Sequence, residues 1–370
     1  MNMHKIAFLL GGVEISGGIN VIFQHAMYLA QNGYNISFIT IRPIYPSDIR
    51  WHPIHDYLKT NNNCNISWYT FNDLDNISFD IAIATWWRTF FNLWKVKADY
   101  YVYFVQSIES RFYSPNEIAL RSVVESTYEM EIGFITECKW ISEYLKDNYD
   151  HDVPLVPNGI DKSVFNQDSI AIEERNENIL RVLIEGPLDV HFKNVPNTIN
   201  IVKRSNADEA WLLTPSAVTQ VQGIDRIFSK IALHHTSAVY KSCDLIIKLS
   251  YVEGMFGPPL EMFHCGGTCI VYDVTGHDEY VKHKKNGIVV RTNAEEEAVE
   301  YLNELKKSRQ VLNKLKEGAI ETARSWPDWQ ASSLMFEKAI HKAIEHVTVN
   351  HKLLKRYSKR IWHIYENKSF

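Results

Sequence analysis

The stretch EGMFGPPLEMFHCGG, residues 253–267, places two carboxylates, Glu253 and Glu261, eight positions apart across two glycines and two adjacent prolines. A carboxylate does not hold phosphate, but it accepts hydrogen bonds from sugar and ribose hydroxyls. Gly257 is placed to cap a helix, and Pro258 suits the first helical position, where its missing N–H costs little. Amides at a helix N-terminus favour anions such as phosphate. Glu261 then falls in the first or second turn, with Glu253 in the loop above it. A straight helix would hold the two residues ~12 Å apart; a folded-back glycine-rich loop brings them nearer. Amides for phosphate beside carboxylates for hydroxyls suit a sugar nucleotide. The same spacing also arises in an ordinary strand–loop–helix whose first-turn acid complements the helix dipole.

Other residues carry chemistry in principle. Lys193, in EGPLDVHFKN (185–194), sits between a strand and a helix, where a cation either neutralises phosphate or is simply a solvated surface charge. Gly17 and Gly18 open an amphipathic segment and let backbone pass close to a ligand. This is not a G-x-G-x-x-G fingerprint, so a nicotinamide site is poorly supported. IATWWRT (83–89) and YFVQSIESRFY (103–113) end strand-like runs and offer Arg88, Gln106 and Glu109 as hydrogen-bonding groups, with much of their aromatic content read as core. Asp73-Leu74-Asp75 is a D-x-D sequence in a polar loop, read as a solvated turn rather than a metal site. The histidines show no zinc spacing, and neither a P-loop nor G-x-S-x-G is present.

Short apolar runs must position these groups. KIAFLLG (5–11), YNISFITI (34–41), NISWYTF (65–71), DIAIATW (80–86) and YVYFVQS (101–107) read as strands. Helix-like segments separate most of them, the clearest at 19–31. The pattern restarts with ILRVLIEG (179–186), AWLLTPS (210–216), DLIIKLS (244–250), CIVYDV (269–274) and GIVV (287–290), and helices are expected at 194–204, 234–242, 258–265, 294–306, 309–324 and 330–345. Alternating strands and helices imply parallel sheets covered on both faces. The intervening 154–178, rich in Pro, Asn, Asp and Glu, reads as a linker. With 370 residues, two α/β domains are expected, with ligands beyond the carboxyl ends of the strands and in a cleft.

Composition narrows the function classes. Apolar content of 45% and charged content of 22% support a folded core, and a net charge of −5 argues against a nucleic-acid-binding molecule. Five cysteines without a C-x-x-C pair fit reduced thiols of a cytoplasmic protein. KIAFLLGG reads as a buried first strand rather than the core of a leader, and no apolar run has the ~18 residues a membrane span needs.

The run SAVYKSCDLIIKLSYVEGMFGPPLEMFHCGGTCIVYDVTGHDEYVKHKKNGIVV (237–290) resembles the donor-binding half of retaining GT-B glycosyltransferases, glycosyltransferase family 4, whose mark is E-x7-E. SGGINVIFQHAMYLAQNGYNISFIT (16–40) is similar to that family's first glycine-rich loop, helix and second strand, and VPNGID (156–161) to its linker. CKWISEYL (138–145), with the 83–113 features, looks like a subgroup that includes rhamnosyltransferases of bacterial surface polysaccharides. The resemblance implies an α/β GT-B fold of two Rossmann-like doubly wound domains facing a central cleft. It implies residues 1–165 as the acceptor-side domain, joined by a C-terminal helix 347–370, and 170–346 as the nucleotide-sugar-binding domain. It implies Glu253 and Lys193 as the catalytic pair. Donor contacts would come from Gly17, Gly18, Lys193, Glu253, Gly254, Met255, Phe256, Gly257 and Glu261, with Glu253 on the transferred sugar, Glu261 on the ribose and Lys193 on the diphosphate. Arg88, Gln106 and Glu109 would face the acceptor, a saccharide or lipid-linked glycan. No metal is implied, and no other cofactor.

This sequence departs from the family's pattern in three places. Met255 and Phe256 stand where Phe and Gly are usual, and Phe resists the positive φ that glycine allows. Gly186 and Pro187 stand where a further basic residue is common, leaving Lys193 to carry more of the phosphate charge. No histidine lies near Gln106. Two other activities stay open: an inverting GT-B enzyme or sugar-nucleotide epimerase, and a non-catalytic sugar-nucleotide- or glycan-binding scaffold. The basic segment 351–370 either meets an anionic membrane at its cytoplasmic face or crosses back onto the first domain, which is the expectation.

Overall fold

A computed structural model describes residues 5–60, 64–345, 347 and 351–366. The remaining parts of the segments read as 347–370 and 351–370 lie outside the described residues. The chain divides into two lobes, one of Met1–Asn158 with Trp329–Phe370 and one of Gly159–Asp328.

In the first lobe β1 (Lys5–Leu9), β2 (Asn35–Thr40), β3 (Ile66–Thr70), β4 (Ser78–Ala84), β5 (Lys97–Val105) and β6 (Gly133–Thr136) form one parallel sheet in the order β3-β2-β1-β4-β5-β6. Helices α1 (Gly17–Gln31), α2 (Ile54–Thr60), α3 (Trp87–Phe90), α4 (Ile118–Glu125) and α5 (Lys139–Tyr149) belong to it. The strand runs are apolar because both faces are covered: Ile6, Phe8, Phe38, Ile81, Ile83 and Phe104 are all buried. Ser16 caps α1 by accepting from the Ile19 amide at 3.3 Å.

In the second lobe β7 (Arg181–Glu185), β8 (Glu209–Thr214), β9 (Arg226–Ser229), β10 (Leu245–Lys248), β11 (Thr268–Tyr272) and β12 (Ile288–Val290) give a second parallel sheet, ordered β12-β11-β10-β7-β8-β9. Helices α6 (Val195–Arg204), α7 (Leu233–Ser242), α8 (Gly257–His264), α9 (Glu295–Lys307) and α10 (Arg309–Ser325) accompany it. Read in chain order within each lobe, both sheets follow the Rossmann order 3-2-1-4-5-6. The strand order reverses between β1 and β4 in one sheet and between β7 and β10 in the other, which marks the expected ligand positions.

Two boundaries differ from the sequence reading. Helix α11 (Trp329–Ile344), read there as the end of the second domain, belongs to the first lobe. Phe336 packs on Phe8 and Phe104, its ring lies 4.2 Å from that of His25, and His25 Nδ1 is 2.9 Å from Ser333 Oγ. A Trp-Pro-Asp break of three residues hides this change of lobe. Of the stretch 154–178 read as a linker, the part from Gly159 on belongs to the second lobe and is tied to it. Arg175 donates to the carbonyls of Tyr240, Cys243, Cys265 and Gly266, the ends of α7 and α8, at 2.7–3.2 Å. A cation is favourable at such negative helix ends. Helix α12 (His351–Glu366) lies on the first lobe, with Leu354 and Ser358 buried and the Tyr357 hydroxyl donating to Ser126 O at 2.7 Å.

Candidate functional site

The chemistry-bearing residues of the second lobe gather at the carboxyl ends of β7 and β10. Ile246 of β10 stands opposite Leu183 of β7. Two residues on, by the period of a strand, Lys248 and Glu185 project from the same face. Lys248 Nζ lies 2.6 Å from Glu185 Oε2 and 3.6 Å from Glu253 Oε1, and is buried. Lys193 reaches the other oxygen of Glu253, with Nζ 2.8 Å from Oε2. Glu253 is only 6% exposed, and its Oε1 has no hydrogen-bond partner among the described residues. Burial alone would push the Glu253 carboxyl up, yet Lys193 and Lys248 together hold it below its ordinary value. Lys248 is likewise held above its ordinary value, because Glu185 and Glu253 outweigh its burial.

Glu261 projects from α8 and is half-buried. Burial, reinforced by the like charge of Glu185, pushes its carboxyl up to about 7, against the Tyr240 hydroxyl and Lys248. Glu261 therefore titrates around neutrality while the two lysines favour the ionised form of Glu253, although one motif carries both. Neither side chain is turned wholly into solvent.

The loop between them has no left-handed requirement at Phe256. That residue has φ −74° and ψ 93°, is fully buried, and caps α8 with its backbone, while the Tyr280 hydroxyl donates to its carbonyl. The doubt raised by its Cβ is removed on this point. Met255 is buried as well, and Gly257 is the first helical residue, one earlier than the sequence suggests. Pro258 and Pro259 supply no N–H, so two of the four free amides of this helix start are missing. An anion here depends on side-chain cations more than at an ordinary helix N-terminus. Gly186 is a backbone necessity: its φ is +138°, and a Cβ there would lie 3.0 Å from Val195 Cγ2.

The first lobe holds the other candidates. Gly17 and Gly18 open α1, and a Cβ on Gly18 would come within 3.2 Å of Gln106 Oε1. That Gln106 oxygen is buried and has no hydrogen-bond partner among the described residues. Arg88 is exposed, its guanidinium about 5 Å from the rings of Trp86 and Trp87. Glu109 has a different task from the one its sequence position suggests. It is buried, and its Oε2 accepts from the Trp87 amide and the Tyr103 hydroxyl, each at 2.7 Å. It therefore positions the Trp86–Arg88 turn rather than presenting a free carboxylate. Burial pushes it up to about 8, against the hydrogen bonds from Tyr103 and Trp87.

Asp73 Oδ2 accepts from Thr70 N and Oγ1, each at 2.7 Å, closing a local turn. Among the described residues no three His, Cys, Asp or Glu side chains gather as a metal site. Among the described residues no disulfide joins the five cysteines, and no helix is long and apolar enough to cross a membrane.

Sequence reasoning missed Lys248 and Glu185. The signal was present: a lysine inside the apolar run DLIIKLS of a sheet covered on both faces must find a buried partner.

Residues 226–325, which contain both glutamates, match the family model described as glycosyl transferases group 1. No curated protein matches the chain. Among solved structures it is similar to sucrose-phosphate synthase from Thermosynechococcus elongatus, at 15% identity over 92% of this chain and 98% of that one, with a TM-score of 0.73. Anabaena HepE in complex with UDP and glucose is similar at 12% identity, 92% and 100% coverage and a TM-score of 0.68. WaaG, a glycosyltransferase involved in lipopolysaccharide biosynthesis, is similar at 13% identity, 93% and 100% coverage and a TM-score of 0.64. With two lobes of Rossmann strand order and neighbours that align over nearly their whole length, the chain has the GT-B fold.

Proposed function

We propose that the chain is a retaining glycosyltransferase of the E-x7-E group, moving a sugar from a nucleoside-diphosphate sugar to a glycan or lipid-linked saccharide. The observation that carries this reading is the buried Glu253, whose Oε1 has no hydrogen-bond partner among the described residues while Lys193 stands 2.8 Å from its other oxygen. A hydroxyl acceptor beside a cation suits the junction of sugar and diphosphate. Glu253 orients the donor sugar, Lys193 stabilises charge on the leaving diphosphate, and Glu261 takes the ribose hydroxyls. The acceptor hydroxyl attacks the anomeric carbon on the face that the diphosphate leaves, and its proton passes to the departing phosphate oxygen. No metal enters these steps. The family match over 226–325 and the UDP and glucose bound by Anabaena HepE support the donor class.

Arg88 and Gln106 are the acceptor-side groups of this reading, with Glu109 acting through the backbone of Trp87. The relatedness of WaaG in fold supports a role in bacterial surface glycan synthesis. Lys352, Lys355, Arg356, Lys359 and Arg360 are exposed on α12, which suits an anionic lipid surface at the cytoplasmic face.

A thermal-shift screen of UDP-, GDP- and dTDP-sugars tests the donor site, since a bound ligand raises apparent stability by mass action. One class should raise Tm, and Glu261→Ala and Lys193→Ala should each abolish that rise. Unchanged shifts in both variants contradict the assignment. Release of nucleoside diphosphate on adding acceptor separates a transferase from a scaffold, which would bind donor without turnover.

A further inference from the structure

Lys193 has two demands on it that exclude each other. In the structure its Nζ lies 2.8 Å from Glu253 Oε2; engaged with a diphosphate, it must turn away. Glu253 would then be a buried carboxylate without that cation, and such a group recovers by taking up a proton. A protonated Glu253 is a poorer acceptor for a sugar hydroxyl.

We infer that Lys248 is a standing counter-ion, a positioning residue that keeps Glu253 ionised and in place when Lys193 moves to phosphate. This rests on the reading of Lys193 and Glu253 given above. Lys248 Nζ is already 3.6 Å from Oε1, the oxygen that Lys193 does not contact. It cannot follow Lys193 outward: it is 4% exposed, it stands on a central strand, and Glu185 anchors it at 2.6 Å. Lys193, 23% exposed and on a short turn before α6, is the mobile partner. The two prolines that remove amides from the start of α8 increase the need for Lys193 at the phosphates. Among the described residues the ionisable groups around Glu253 are Lys193 from that turn, Glu185 from β7, Lys248 from β10 and Glu261 from α8. The Tyr240 and Tyr280 hydroxyls add to these. Only the lysines are cationic.

The test uses the full-length chain without ligand. Lys193→Met imitates the state in which phosphate has taken Lys193. Its Tm deficit against wild type should stay constant from pH 5 to 8, because Lys248 still holds Glu253 ionised. Lys193→Met with Lys248→Met should show a deficit that widens with pH, by about 3 °C per unit, as an unpaired Glu253 resists ionisation. Adding Glu253→Gln should cut the widening back to what Lys248→Met alone shows, since losing Lys248 also strips Glu185 of its cation. A deficit that already widens in Lys193→Met overturns the inference, and that variant decides the matter even if the double variant does not fold. In the catalytic arm, Lys248→Met should leave the Kd for the bare nucleoside diphosphate within about threefold while lowering kcat by about a hundredfold. The acid limb of kcat should move up by about one pH unit or more, and Lys248→Arg should restore it. Equal loss of nucleotide binding and turnover with no movement of the limb overturns the positioning role. Absence of sugar-nucleotide binding in wild type defeats the functional reading instead, and the ligand-free arm still reports whether Lys248 replaces Lys193.

Discussion

Replacing Glu109 by Gln should make the protein more stable, and increasingly so as pH rises. In the fold the Glu109 carboxyl holds its proton up to about 8, whereas the unfolded chain releases it near 4.5. The native state therefore binds more protons than the unfolded state across that interval. Its stability falls as pH rises, and the contribution present below 4.5 is lost on passing through 8. Each pH unit in this window is worth about 1.4 kcal/mol, so the full cost is on the order of 3–5 kcal/mol by pH 8. Gln does not titrate, and its Oε1 can keep the bonds from the Trp87 amide and the Tyr103 hydroxyl. In a lobe of this size 1 kcal/mol moves Tm by about 2–4 °C. The Tm difference between Glu109→Gln and wild type should therefore grow by about 3–5 °C per unit between pH 5 and 8. Differential scanning calorimetry of both proteins at constant ionic strength measures it directly, since other titrating groups such as Glu261 cancel in the difference. A pH-independent difference would show that Glu109 is ionised in the fold, and the argument from its burial would fail.

Three further outcomes follow from local geometry. With Glu261 titrating near 7 and its ionised form accepting from ribose, the Kd for the nucleoside diphosphate should weaken about tenfold from pH 8 to pH 6; calorimetry should find a flat profile in Glu261→Gln, and the same slope in both proteins would remove Glu261 from the ribose. Gly186→Ala should destabilise by about 1–3 kcal/mol, because φ is +138° and the new Cβ meets Val195 at 3.0 Å; an unchanged urea midpoint would contradict the strain. Phe256→Ala should cost about 3–5 kcal/mol, as expected for a fully buried ring that needs no special backbone angle; a loss below about 1 kcal/mol would mean the ring is not packed.

Strand and helix alternation was legible because parallel sheets covered on both faces leave unmistakable apolar runs, and KIAFLLG, YVYFVQS and DLIIKLS all lie on strands. The E-x7-E pair was legible from residue type and spacing. Other features were not. The membership of α11 depends on which sheet its Phe336 face meets, and a helix's own periodicity names no partner. The role of Glu109 is set by a backbone amide and a hydroxyl that tertiary folding delivers from Trp87 and Tyr103. The Lys248–Glu185 pair was half legible. Burial of a strand lysine demands an anion, but only the register of β7 against β10 says which one.

Both lobes end a Rossmann sheet with a buried glutamate, and the two are held in opposite states. Glu109 has hydrogen-bond donors but, among the described residues, no lysine or arginine bonded to it, and it keeps its proton; Glu253 has two lysines, which favour its ionised form. The fold supplies the position and the neighbours decide the charge. An arriving diphosphate competes for cations, so it draws on Glu253, where Lys193 is shared, and not on Glu109, whose bonds come from groups that phosphate does not recruit. With Lys248 still 3.6 Å from Glu253 Oε1, that withdrawal should leave Glu253 ionised. Proton uptake at Glu253 when a nucleotide binds would therefore refute the role of Lys248, whatever the turnover.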